Sequence, residues 1–172
     1  APLSPDVDPY AEDVQWILHA GLKTLQRQNL NIQAGNVNPD TNGNGFGLDV
    51  NTEWENYAQG PLAEMLASYG ELDYVVPANI GARQEVVNRR LRDVVQDVAD
   101  YFYWSMTDIP YQGDFAGGWS YAPNSAAIDT SQVGWTAVFL FAAEINADIV
   151  VPDWVKRRLI LGAQQTQLVP GG

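Results

Sequence analysis

The sequence contains no cysteine. Disulfides, thiolate metal sites and cysteine nucleophiles are therefore excluded, and the redox state of the compartment is left unread. Histidine is nearly as scarce. His19 is the single copy, set among apolar residues at helical spacing, so general acid–base work would fall to carboxylates. Positive charge is short as well: 9 Lys and Arg stand against 21 Asp and Glu, a net charge of -12. Nucleic acid and anionic membranes are repelled by that balance, while cations and neutral ligands stay open. No apolar run reaches the ~20 residues of a membrane span. The densest, WTAVFLFAAEI from Trp135 to Ile145, reads as a buried helix that other helices should surround. An initiating Met is missing too, and the opening APLSPDVDPY suits a mature exported protein whose signal has been removed. An extracellular or cell-surface location is the expectation.

What is present suffices for a core, since 46% of the residues are apolar and 11% aromatic, in a length that fits one domain. Residues 1 to 9 read as an extended proline-rich arm, and 10 to 172 as a single α-helical repeat domain. Apolar spacing predicts helices over about Pro9 to Gln28, Trp54 to Tyr69, Arg83 to Trp104, Asp129 to Asn146, and Asp153 towards Gln165. In the third, Val87, Leu91, Val94, Val95, Val98, Tyr101 and Phe102 form one stripe, with Arg and Asp residues on the other. Residues 29 to 51 and 107 to 127 read as long loops. With no strand pattern evident, the expected class is all-α.

A shift of 73 residues places Phe46 on Trp119, Gln59 on Gln132, Leu62 on Trp135 and Leu66 on Phe139. A shift of 75 matches VVP at 75 to 77 with VVP at 150 to 152. The chain therefore reads as one helical hairpin over about 10–80, a second over about 83–152 and the start of a third over 153–172.

The segment GGWSYAPNSAAIDTSQVGWTAVFLFAAEINADIVVPDWV resembles the repeat of the prenyltransferase and squalene-cyclase superfamily. Gln112, Gly117 and Trp119 approximate that family's Gln-Trp motif, one residue longer than usual, and NGNGFGLDVNTEWENYAQGPLAEMLASYG is a weaker first copy. The resemblance covers roughly 30 to 167 and implies an incomplete α/α toroid of about two and a half hairpins joined by glycine-rich loops. A closed toroid of the family takes about twice as many. It also implies that the family's catalytic sets are absent. The proton-donating acidic motif is reduced to Asp129, the zinc set lacks its cysteine and has only a distant histidine, and the thioester cysteine is missing. A non-enzyme is the expectation.

Several residues carry specific expectations. Asp129, followed by Thr130, should cap an inner helix. Phe46 and Trp119, flanked by glycines, should fold their loops back over one end. In DTNGNGFGLD, Asp40, Asn42, Asn44, Gly45 and the Phe46 carbonyl fill positions of a twelve-residue calcium loop, but Asn51 stands where a glutamate belongs. Asp49 or Glu53 could supply the missing carboxylate. The same stretch also reads as plain Asn-Gly turn chemistry, so calcium and a bare turn both stand. Trp154, Val155, Leu159 and Ile160 would leave an apolar face uncovered at the unfinished end of the repeat, which favours head-to-tail self-association into a ring or filament. The functional expectation is an extracellular, non-catalytic, self-assembling structural subunit. Its alternative is a fragment of a toroid enzyme or carbohydrate-binding module using Trp54, Trp119, Tyr121 and carboxyl pairs such as Asp114 with Asp129 or Asp49 with Glu53. An isoprenoid carrier is a third reading, with apolar volume but no polar anchor.

Overall fold

The computed structural model describes residues 6–50, 55–107, 117–125 and 127–168. In chain order these form α1 (Ala11–Thr24), β1 (Leu25–Asn29), β2 (Phe46–Val50), α2 (Glu55–Ser68), a short 3-10 turn (Ala78–Ile80), α3 (Leu91–Ser105), α4 (Thr130–Ala147) and α5 (Asp153–Leu168). The two strands pair antiparallel, from Leu25 opposite Val50 to Asn29 opposite Phe46. The class is therefore mixed α and β, which corrects the all-α expectation.

The missed hairpin has a physical origin at both strands. Helix α1 stops at Thr24 because Leu25 turns extended, with φ of -69° and ψ of 136°. Leu22 and Leu25 are both buried, so a helical period runs through them although the chain has already changed to alternation. Strand β2, FGLDV, includes Gly and Asp, which are poor strand formers. Tertiary contacts hold it extended. A Cβ on Gly47 would come within 2.8 Å of the Tyr101 backbone, so only glycine lets the strand lie this close to α3. The edge of β2 also meets a side chain that imitates a third strand. Gln59 accepts a hydrogen bond from Val50 N at 3.0 Å and donates to Leu48 O at 2.8 Å.

Helix α3 begins at Leu91 rather than near Arg83. The preceding segment pairs with 74 to 76 instead: Asn88 N donates to Val76 O at 2.8 Å, and Val76 N to Arg89 O at 2.9 Å. Asn88 has φ of 59°, a left-handed value that interrupts any helix. Once started, α3 is the centre of the core. Tyr101, Phe102 and Tyr103 are fully buried, and Phe102 packs on Trp119 and Phe139 with ring centroids 6.5 and 5.3 Å away. Burying a side chain of this size is worth ~2 kcal/mol.

Helices α2 and α4 start from the same stretch of chain. Asn56 donates from its backbone to Tyr121 O and from its side chain to Ser120 O, while Asp129 N donates to Trp119 O. The two helices therefore run parallel. Gln59 and Gln132, matched by the internal repeat, are both fully buried. Trp135 of α4 sits against Gly60 of α2, where a Cβ would meet the Trp135 Cβ at 2.6 Å. Gly21 of α1 receives Leu62 of α2 in the same way. Helix α5 lies on Gly117 and Gly118 through Gly162. Among the described residues no helix is long and apolar enough to cross a membrane.

Candidate functional site

Three places in the fold carry chemistry or surface beyond a core. The first is the turn that opens the β2 arm. Asp40 accepts hydrogen bonds from the backbone N–H groups of Gly43, Asn44 and Gly45 at 2.8, 3.2 and 2.8 Å. Asn42 Oδ1 accepts from Asn44 N, and Asn44 Oδ1 from Phe46 N. Each oxygen thus fixes the chain a few residues further on, which curls residues 40 to 46 into a tight turn.

The turn is seated on two carboxylates of α3. Asn42 Nδ2 and Asn44 Nδ2 donate to Asp97 Oδ1 at 2.6 and 2.8 Å, and Arg89 Nη1 lies 2.5 Å from Asp97 Oδ2. Thr41 donates to Asp100 from its backbone N and its hydroxyl, at 3.0 and 2.6 Å. Both aspartates are fully buried, although their spacing on α3 had placed them on a solvent stripe. Burial raises the pKa of each. For Asp97 it outweighs Arg89 and the two asparagine amides, and for Asp100 it outweighs Thr41 and Gln96, pushing that carboxyl up to about 6. Four groups of the turn, together with Gln96 and Arg89, are the partners that make these buried carboxylates tolerable. The structure therefore supplies an anchor for the turn that sequence spacing did not show. A clue was present in the pattern, because Asp97 and Asp100 interrupt the apolar run VVQDVADYF.

The second place is Asp49. It is buried at 2% exposure in β2, opposite Gln26, and its Oδ1 has no hydrogen-bond partner. Burial, with the nearby Glu55 carboxylate adding to it, pushes the Asp49 pKa up to about 6. Glu55 in turn accepts from the Tyr101 hydroxyl at 3.3 Å, and burial raises that hydroxyl's pKa strongly. A carboxyl poised near neutrality is chemically capable of proton transfer. Here it is sealed beneath the hairpin.

The third place is the outer face of α4 and α5. Val138, Phe141 and Ile145 of α4 are 50%, 67% and 62% exposed, and Ile160 and Leu161 of α5 are also open. Between the helices runs a groove of about 210 Å³ lined by Leu140, Phe141, Glu144, Val155, Lys156 and Leu159, with Lys156 Nζ 2.5 Å from Glu144. The expectation that α4 is surrounded on all sides is corrected: its inner face is buried and its outer face is bare.

The other predicted residues fall as follows. Asp129 caps α4, accepting from Ser131 N and Gln132 N, and its pKa is lowered first by the Ser131 hydroxyl that also donates to it and then by these backbone bonds. Thr130 is the exposed first residue of that helix. Trp119 is fully buried and donates from Nε1 to Phe102 O at 2.8 Å, which pins its loop. Phe46 belongs to a strand rather than a loop fold-back, with the Arg27 and Arg89 guanidinium groups 4.7 and 5.7 Å from its ring. The turn brings Asp40, Asn42, Asn44 and Phe46 together, while Asp49 is committed to the ladder. Glu53, Trp54, Gln112 and Asp114 lie outside the described residues.

The expected assembly face needs correction. Val155 is fully buried in its own chain, Leu159 is partly buried on the core, and Trp154 packs on Tyr103 with Arg158 5.0 Å from its ring. Ile160 is exposed, and the larger bare surface belongs to α4. Tyr121 is exposed and stacks on Tyr57 with ring centroids 5.6 Å apart. No protein-family model, no curated protein and no solved structure matches this chain.

Proposed function

We propose that the chain is a non-catalytic module that associates with copies of itself through its bare helical faces. The observation that carries this reading is the exposure of Val138, Phe141 and Ile145 along one face of α4. Scattered apolar residues need no explanation, but a clustered patch marks a docking surface. Several carboxylates have structural work: the buried Asp97 and Asp100 seat the turn, and Asp129 caps α4. Light scattering coupled to size exclusion tests the reading. A mass above 18.9 kDa that grows with loading is expected. A constant monomer mass would remove the basis of the proposal.

Calcium at Asp40, Asn42, Asn44 and the Phe46 carbonyl belongs to the same reading as a stiffening ion. Its support is the spacing of the three side-chain oxygens and the turn that gathers them. With two neutral amides in the set, affinity would fall in the weak range of extracellular modules, ~10⁻⁴ to 10⁻³ M, which ties this ion to a location outside the cell.

A second reading, carbohydrate binding, is favoured by the exposed Tyr57 and Tyr121 pair, whose stacked rings offer an apolar surface to a sugar face. Glycan-array binding lost in Tyr121→Ala would support it, and an array without signal would retire it.

A further inference from the structure

The two copies of the internal repeat differ at one buried point. In the first copy Gln59 of α2 imitates a strand, accepting from Val50 N and donating to Leu48 O. The shift of 73 residues that sets Gln132 of α4 on Gln59 also sets Pro123 on Val50 and Tyr121 on Leu48. Neither bond is repeated there. Proline has no N–H to donate, and Tyr121 O accepts from Asn56 N at 3.1 Å instead.

Gln132 is nevertheless fully buried, and among the described residues neither its Oε1 nor its Nε2 has a hydrogen-bond partner. One turn later on α4, Thr136 is fully buried too, and its hydroxyl is likewise unpartnered. A helical threonine can bond the carbonyl four residues back, but the Thr136 hydroxyl does not. The same shift sets Thr136 on Ala63, so the second copy carries a hydroxyl where the first has a methyl. The copy that lost the strand edge has gained a polar atom beside the amide.

Residues four apart on a helix have Cβ atoms about 5 to 6 Å from each other, a span that one small molecule bridges with a hydrogen bond to each side. The amide needs an acceptor for its Nε2 and a donor for its Oε1. A bare cation supplies neither an acceptor nor a proton, whereas water supplies both. We propose that buried water bridges the Gln132 amide to the Thr136 hydroxyl, one molecule at each amide atom, in the place of the strand edge that Gln59 meets in the first copy. The start of α4 then depends on bound water as the start of α2 depends on β2. This inference is independent of self-association and stands or falls apart from it.

The test is water–protein cross-relaxation by NMR on the wild-type chain, together with thermal melts of Thr136→Val and Gln132→Leu. Long-lived water should give cross-peaks to the Gln132 side-chain amide protons, with the sign pattern of dipolar transfer rather than of hydrogen exchange. Amide protons without such peaks would overturn the proposal. Thr136→Val replaces the hydroxyl by a methyl of the same shape. In a dry site that change removes an unpaired polar atom and raises the melting temperature, whereas in the hydrated site it removes one hold on the water and lowers it. The lowering should vanish or change sign in a Gln132→Leu background, where the bridge is already gone. A melting temperature raised by Thr136→Val alone, or lowered equally in both backgrounds, would overturn the bridge.

Discussion

The Arg89 guanidinium lies 2.5 Å from the carboxylate of Asp97, and that carboxylate is fully buried while the arginine keeps 24% of its side chain exposed. The pair closes the turn of residues 40 to 46 onto α3, because the other oxygen of Asp97 takes the amides of Asn42 and Asn44. Removing one partner of a buried pair is costly, since the other charge is left without compensation. Asp97→Ala should lower stability by about 3 kcal/mol in urea denaturation and should open the turn to limited proteolysis. A loss under ~0.5 kcal/mol, with the turn still protected, would show that the turn is held by something else.

The two carboxyls pushed up to about 6, Asp49 and Asp100, give stability a definite pH dependence. A raised pKa means that the folded chain holds the proton more tightly than the unfolded one. Their contribution is then complete below about pH 4 and is lost as pH rises through about 6. The melting temperature should be higher at pH 5 than at pH 7.5. Asp49→Asn keeps the shape without the charge, and it should raise stability at pH 7.5 by on the order of 1 to 2 kcal/mol. Asp129 runs the other way: its pKa is lowered, so its contribution holds above the ordinary carboxylate range and fades as pH falls through it. A melting temperature that falls steadily from pH 7.5 to 5 would contradict the assignment for Asp49 and Asp100.

Asp129 itself is a cap that can be measured alone. It accepts from Ser131 N and Gln132 N, two donors that the helix leaves unpaired. Asp129→Ala should cost about 1 kcal/mol, and Asp129→Asn much less, because the amide oxygen can still accept. Equal losses in the two variants would point to a role for the charge beyond capping.

Two glycine substitutions should have opposite signs. Gly47→Ala drives a Cβ to 2.8 Å from the Tyr101 backbone, which cannot retreat, and should destabilise by at least ~1 to 3 kcal/mol. Gly134→Ala meets nothing and removes the conformational freedom of a helical glycine, so it should stabilise by ~0.5 to 1 kcal/mol. Thermal melts of the two variants decide the matter. Destabilisation in both would mean that the α4 face is already covered.

Calcium should add to a turn that is already closed. Because Asp97 and Asp100 hold residues 40 to 46, a chelator alone should leave the melting temperature unchanged, and millimolar calcium should raise it modestly. Asp40→Ala should abolish that rise. No calcium heat in calorimetry and no melting shift would end the calcium reading.

Much of the helical layout was legible because apolar spacing and caps are local. Asp129 before Thr130 marked the start of α4. The hairpin was not legible, since Leu25 fits either period and FGLDV becomes a strand only when Gly47 lies on Tyr101 and Gln59 pairs with its edge. The anchor of the turn was half legible. Asp40, Asn42 and Asn44 announced a tight turn, but their partners Asp97 and Asp100 come from a helix more than fifty residues later, a distance that no spacing rule spans. The unfinished repeat pointed to a bare face, but α5 buries Val155 in its own chain, and the surface left open is on α4.

The central claim, that the bare face of α4 is an interface between copies, is tested most directly by sedimentation equilibrium of the wild type beside Phe141→Glu, from about 1 to about 100 µM. The account predicts a wild-type mass that rises with concentration, and a variant that stays at the 18.9 kDa of one chain while keeping its fold. A wild type that remains at one chain's mass across that range, or a variant that associates equally well, would contradict it.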